Sequence, residues 1–257
     1  MMNTFKKDLL TVNIYDTRDA MGRAAANDIK ARILSLLESK AEINMIFAAA
    51  PSQNEVLYAL ATDKEIPWSR VNAFHMDEYI GLPASAPQGF GNFLREHIFG
   101  LAPFKSVNYI DISAADADKE CERYSALLAD NPTDIVVMGI GENGHIAFND
   151  PPVADFNDEK AVKSVALDEI CRNQQVNDGC FAKLEEVPTT AITLTVPTLF
   201  KGDYLFCIVP AKTKANAIRA TICDEINEKC PATILRRHKR AVLYLDGDSS
   251  ALLRDKI

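Results

Sequence analysis

Apolar residues along this chain gather in short runs, separated by stretches where they recur every three or four positions. That pattern describes strands alternating with amphipathic helices. Residues 9–14 read as a first strand. Asp16 and Thr17 suit the cap of a long helix after it, with Met21, Ala24, Ile29, Ile33 and Leu36 on one face. Residues 43–50 read as a second strand, and Pro51 and Ser52 begin a helix carrying Val56, Leu57 and Leu60. A third strand over 71–76 ends at Asp77 and Glu78. Helices are expected over 90–99 and 116–128, and a buried strand over 134–138. Further strands fall at 191–196 and 204–209, a helix at 212–223, and a strand at 240–245 that closes the sheet. The polar stretch 151–188 lacks a period and reads as an irregular excursion with one short helix near 168–175. Alternation of this kind predicts an α/β fold with a mostly parallel sheet covered by helices. No repeat or linker divides the chain, so residues 1–257 are read as one domain.

The run 134–138 empties into GIGENGHIAFNDPP, residues 139–152. Gly139, Gly141 and Gly144 spell the G-x-G-x-x-G of a dinucleotide site, which requires a helix to open at the third glycine. Pro151 and Pro152 disfavour helical geometry just downstream, and the strand lies in mid-chain, so the dinucleotide reading is rejected. What the loop does present is His145 near Glu142, Asn143 and Asp150, at the kind of strand end where α/β proteins bind ligands. A carboxylate on one ring nitrogen would fix the tautomer and leave the other free to exchange protons. A histidine alone is as often structural as catalytic; the neighbouring Asn143 and Asp150 tilt the reading toward acid–base work.

Asp77 and Glu78 are adjacent, so in extended backbone they point to opposite sides, one to a crevice and one to a neighbour. An arbitrary Asp-Glu pair is more often a solvated turn; here it follows a buried-looking strand. Lys214 falls in the first turn of a helix after a strand, where its charge joins free N–H groups in a plausible phosphate site. Ser52, at the start of an earlier helix, offers a hydroxyl. Arg172 is a further candidate, although an exposed helix charge is its ordinary role.

Composition narrows the partners. A net charge of −8 argues against nucleic acid, though local lysines still permit a small anion. Six cysteines without regular spacing and without a signal peptide predict free thiols in a reducing cytoplasm. Neither they nor the four histidines form a local metal-ligand cluster, so no metal is expected. No apolar run approaches the ~20 residues that cross a bilayer.

Three segments together resemble one known family. FHMDEYIGL (74–82), the loop at 139–152 and KANAI (214–218) are similar to glucosamine-6-phosphate deaminases, in matching order from about residue 10 to 246. The related 6-phosphogluconolactonases share the Gly-His element but continue differently after the histidine. The resemblance implies a single-domain, three-layer, modified Rossmann-type fold, no cofactor, and an aldose–ketose isomerisation that expels ammonia from a hexosamine phosphate. Homo-oligomers are common in the family, but no single stretch here reads as an interface. By position, Asp77 would move a proton between C2 and C1, and His145 would open the sugar ring with Asp150 and Asn143 beside it. Lys214 and the Ser52 loop would hold the phosphate, and Gly141 and Arg172 stand beside them as further substrate-binding candidates. Three positions depart from the family: Asn143 replaces an aspartate, Asp150 a glutamate, and residues 49–53 (AAPSQ) lack the usual glycine. A sugar-phosphate lactonase and a catalytically silent sugar-phosphate sensor are the alternatives.

Overall fold

The computed structural model describes residues 3–113 and 116–253. Its elements in chain order begin with strands β1 (Asn3–Lys7) and β2 (Leu10–Ile14), helix α1 (Arg18–Leu37) and strand β3 (Ile43–Phe47). There follow α2 (Asn54–Thr62), β4 (Val71–His75), β5 (Asp77–Tyr79), α3 (Phe90–Leu94), β6 (Ser106–Asn108), α4 (Ala117–Asp130) and β7 (Ile135–Met138). The last part holds β8 (Val162–Ala166), α5 (Glu169–Asn177), β9 (Thr190–Leu194), α6 (Val196–Phe200), β10 (Tyr204–Val209), α7 (Ala215–Cys223) and β11 (Ala241–Leu245). Thr17 caps α1, its Oγ1 accepting from Ala20 N at 3.1 Å.

Eight strands form the central sheet in the order β1-β2-β11-β10-β7-β3-β4-β6. Every pairing is parallel except that of β1 with β2. Successive residues of the central strands serve opposite faces. Leu205, Cys207 and Val209 of β10 join one apolar cluster with Tyr124 of α4 and Ile218 of α7. Phe206 and Ile208 join the other, with Ile29 and Ile33 of α1 and Val56 of α2. This two-sided burial explains why the central strands read as continuous apolar runs and gives the three layers expected of the fold.

Several expectations need correction. The strand foreseen at 191–196 does not enter the central sheet; as β9 it lies between β5 and β8 in a separate antiparallel sheet. The strand foreseen at 240–245 does not close the sheet, because β11 sits inside it, between β10 and β2. The edge is instead β1, which hairpins onto β2 through Asp8 at φ 52. The excursion 151–188 contains β8 as well as a helix. The helix foreseen over 90–99 is α only to Leu94 and continues as a π turn over Arg95–Phe99.

The chain moves outward from β3 to β4 and β6, then returns to place β7 on the other side of β3. Between β3 and β7 the connections therefore diverge, which opens a crevice at the carboxyl ends of the strands.

Candidate active site

The crevice is a narrow cleft open to solvent. Four strand-end segments line it, namely the turn 48–53 after β3, Met76 and Asp77 after β4, the loop after β7, and Lys214 after β10, together with residues of α3 and α5. The structure thus brings together Asp77, His145, Ser52, Gly141 and Lys214, which lie far apart in sequence.

The His145 loop is built around its imidazole. Gly141 leaves room for the ring, since a Cβ there would come within 2.1 Å of it. Gly144 takes φ +85 in the turn, which L side chains disfavour. Glycines that mimic a dinucleotide motif here make space and a turn. His145 Nδ1 lies 2.8 Å from Asn143 Oδ1 and 2.9 Å from Asp150 Oδ1. Asn143 Nδ2 donates to Asp150 Oδ1 at 2.9 Å and reaches Asp168 Oδ2 at 3.4 Å. With its NH₂ committed to two carboxylates, the amide turns its oxygen to His145, so Nδ1 carries the proton and Nε2 stays free. Burial pushes the Asp150 carboxyl up, but hydrogen bonds from His145 and Asn143 outweigh it and hold the group below its ordinary value. Asn143 does what a neutral group does best here, because a carboxylate between Asp150 and Asp168 would face two like charges.

Asp77 and Glu78 part ways. Glu78 turns inward and accepts from Tyr79 N, Phe90 N and Gly91 N at 2.9, 2.9 and 2.7 Å, pinning the start of α3. Asp77 faces the cleft at 7% exposure. Burial first, then the Glu78 charge, pushes its carboxyl well above the ordinary value. Its backbone is held by His75, whose Nε2 accepts from Ile110 N at 2.9 Å, so Nδ1 donates to Asp77 O at 3.0 Å. Burial lowers that histidine to about 4 and keeps it neutral. Beneath lies an aromatic floor in which Phe90 and Phe148 stack at 5.4 Å, with Tyr79 4.8 and 5.2 Å from them.

Lys214 is 4% exposed, and its ammonium has no hydrogen-bond partner among the described residues. Burial lowers its pKa, opposed by the charges of Asp178 and Glu142. The turn leading to Lys214 carries Ala211 at φ 83, a strained geometry secured by Asp246, which accepts from Ala211 N at 3.1 Å. A buried cation with nothing to pair is a ready anion site.

Arg172 does not reach the cleft. Its guanidinium donates to Leu184 O at 2.8 Å and Val187 O at 2.9 Å, tying α5 to the segment after it. The same helix instead sends Gln174, Gln175 and Asp178 to the cleft. Sequence reading missed them because no period marked this polar stretch. A second surprise is Cys171: its Sγ, His145 and Asp150 present ligand atoms within 4.8 Å of one another. Cys171 lies 21 residues after Asp150 and 26 after His145, so local spacing could not show the cluster. The thiol is pushed far up by burial, and His145 Nδ1 is already bonded, so the trio as it stands is a hydrogen-bonding group. Among the described residues, no helix is long and apolar enough to cross a membrane, and the six cysteines are unpaired.

The fold is shared with known proteins. A glucosamine-6-phosphate deaminase of Bacillus cereus is 35% identical over 201 residues, 78% of this chain and 75% of the relative. A solved monomeric glucosamine-6-phosphate deaminase superposes with a TM-score of 0.84 over 94% of this chain and 99% of its own, at 24% identity. The 6-phosphogluconolactonase of Thermotoga maritima superposes at 0.75 over 91% and 99%, at 23% identity. At such identities these structures establish the fold alone. With the family model matching residues 16–244, the chain belongs to the glucosamine-6-phosphate isomerase/6-phosphogluconolactonase family.

Proposed function

We propose that this protein is an amino-sugar-phosphate isomerase/deaminase, converting glucosamine 6-phosphate or a close hexosamine phosphate to fructose 6-phosphate and ammonia. The observation that carries the reading is a buried carboxyl with a raised pKa, Asp77, in one cleft with an imidazole whose Nδ1 is engaged and whose Nε2 is free. Lys214 and Ser52 hold the phosphate. His145 Nε2 relays a proton to the ring oxygen as the pyranose opens, and Asp150 and Asn143 steady the imidazole through Nδ1. Asp77 removes the proton from C2 and returns it to C1, while the C1 oxygen gains a proton and the amine gives one up, which leaves an alcohol at C1 and an imine at C2. Water adds to that carbon and ammonia leaves, giving the ketose phosphate. A carboxylate whose pKa is raised by burial is a stronger base than an ordinary one, as removal of a carbon-bound proton demands. Hydrolysis of a lactone has no carbon proton to move, which favours the deaminase over the lactonase. A sugar-phosphate substrate and unpaired cysteines fit a cytoplasmic setting.

The test incubates the protein with glucosamine 6-phosphate and its epimers and measures ammonia and the ketose phosphate together. Both products in equal amounts are expected. Hydrolysis of 6-phosphogluconolactone without ammonia release from any hexosamine phosphate would overturn the reading for the lactonase. A rise in melting temperature with a sugar phosphate, but no product from any, would leave a sensor.

A further inference from the structure

We propose that Gln53 is a positioning residue that commits the Ser52 hydroxyl to donate into the cleft, toward the phosphate of the substrate. The inference rests on the phosphate-binding reading of Ser52 and Lys214 given above. Gln53 is fully buried, at 0% exposure, in the turn between β3 and α2. Its Nε2 donates to Ser52 Oγ at 3.0 Å and to Ile208 O, near the end of β10, at 3.1 Å. A backbone carbonyl only accepts, so the amide orientation follows: Nε2 faces Ile208 and Ser52, and Oε1 faces elsewhere.

A hydroxyl has one proton and two lone pairs. Gln53 occupies a lone pair of Ser52, and among the described residues no acceptor takes its proton. The hydroxyl is thereby a donor in waiting, and a phosphate oxygen near Lys214 is a pure acceptor. Holding the donor ready before binding removes part of the ordering cost of association. The arrangement itself costs something, since Gln53 Oε1 is buried without a partner. An apolar side chain of the same size would avoid that penalty, so packing alone does not account for a glutamine here. Space for the pair comes from β7: a Cβ on Gly139 would lie 3.1 Å from Gln53 Nε2 and 3.5 Å from Ser52 Oγ. Residues 48–53 contain no glycine to let backbone approach a ligand closely, which leaves more of the anion's binding to an oriented side-chain donor.

Calorimetric titration with inorganic phosphate tests this on the wild type, Gln53→Met, Gln53→Glu, Ser52→Ala and the double variant Gln53→Met/Ser52→Ala. Gln53→Met should raise the phosphate Kd about five- to tenfold. Gln53→Glu should raise it further, because its carboxylate takes the Ser52 proton and repels the anion. In the Ser52→Ala background Gln53→Met should add nothing, since the hydroxyl it orients is gone. In turnover the Gln53→Met loss should fall on KM and not on kcat. Losses that multiply in the double variant, or a loss confined to kcat, would overturn the proposal. So would a Gln53→Glu protein that binds phosphate like wild type, a result readable even if Gln53→Met does not fold. Absence of phosphate binding by the wild type would overturn it as well. Failure to release ammonia would sink the proposed reaction while leaving the phosphate titration to judge Gln53.

Discussion

Replacing Gly141 with alanine should disable proton transfer at His145 while leaving the chain folded. The new Cβ would lie 2.1 Å from Cε1, 2.2 Å from Nε2 and 2.4 Å from Nδ1 of the imidazole. Gly141 is not among the positive-φ glycines, so alanine adds a clash and no backbone strain. Ordinary contact begins near 3.4 Å, so relief from 2.1 Å requires the ring to withdraw by about 1.3 Å. The ring is no flexible tip: Nδ1 is held at 2.8 Å to Asn143 and 2.9 Å to Asp150. A shift of that size takes such bonds out of useful range, and a misplacement of about 1 Å costs about 10²-fold in rate. The overpacking should lower stability by about 1–3 kcal/mol. The assay is kcat for ammonia release at saturating hexosamine phosphate, with the melting temperature measured alongside. A folded Gly141→Ala enzyme retaining more than about a third of wild-type kcat would refute the argument that this glycine exists to seat the imidazole.

Asp77→Asn should reduce turnover by about 10²–10⁴-fold with phosphate affinity kept; equal loss of binding would recast Asp77 as a ligand-positioning residue. Because the folded chain raises the Asp77 pKa through burial and then the Glu78 charge, it retains a proton that the unfolded chain releases. The resulting stability is present at low pH and lost as pH rises through the folded value. The Asn variant should therefore melt above wild type at about pH 8, with the gap closing on acidification; an unchanged gap would contradict the raised value. For the same reason, the acid limb of wild-type kcat/KM should lie above the ordinary carboxylate range. Lys214→Met should stabilise the unliganded protein by about 1 kcal/mol or more, by removing a buried unpaired charge, while weakening phosphate binding at least about tenfold. A lower melting temperature with affinity intact would refute it. Arg172→Ala should cost about 1–3 kcal/mol through its orphaned carbonyls and leave the inorganic-phosphate Kd near wild type; a large rise in that Kd would return Arg172 to the site.

Local signals were legible wherever the determinant was local. The Thr17 cap, the apolar period of α1 and the two-sided burial of β7 and β10 are written within a few residues each. The pairing of β9 with β5 and β8 was not legible, because a short apolar run looks the same in either sheet and partner choice depends on the whole packing. Arg172 shows the same limit on a helix. In a polar stretch without a period, nothing in the chain says which face meets the cleft, and the structure turned Gln174, Gln175 and Asp178 there.

Sequence by itself determined the alternation of strands and helices, the lack of a helix opening at Gly144 ahead of Pro151 and Pro152, and the candidates Asp77, His145 and Lys214. Those follow from nearest-neighbour sterics and side-chain chemistry, which travel with the residue. Only the tertiary structure decided that Asn143 sits between Asp150 and Asp168 and that Lys214 is buried unpaired. It alone set Gln53 to hold Ser52. Orientation and charge state at those positions depend on groups brought from distant parts of the chain, and on water excluded by the fold, which no local reading contains.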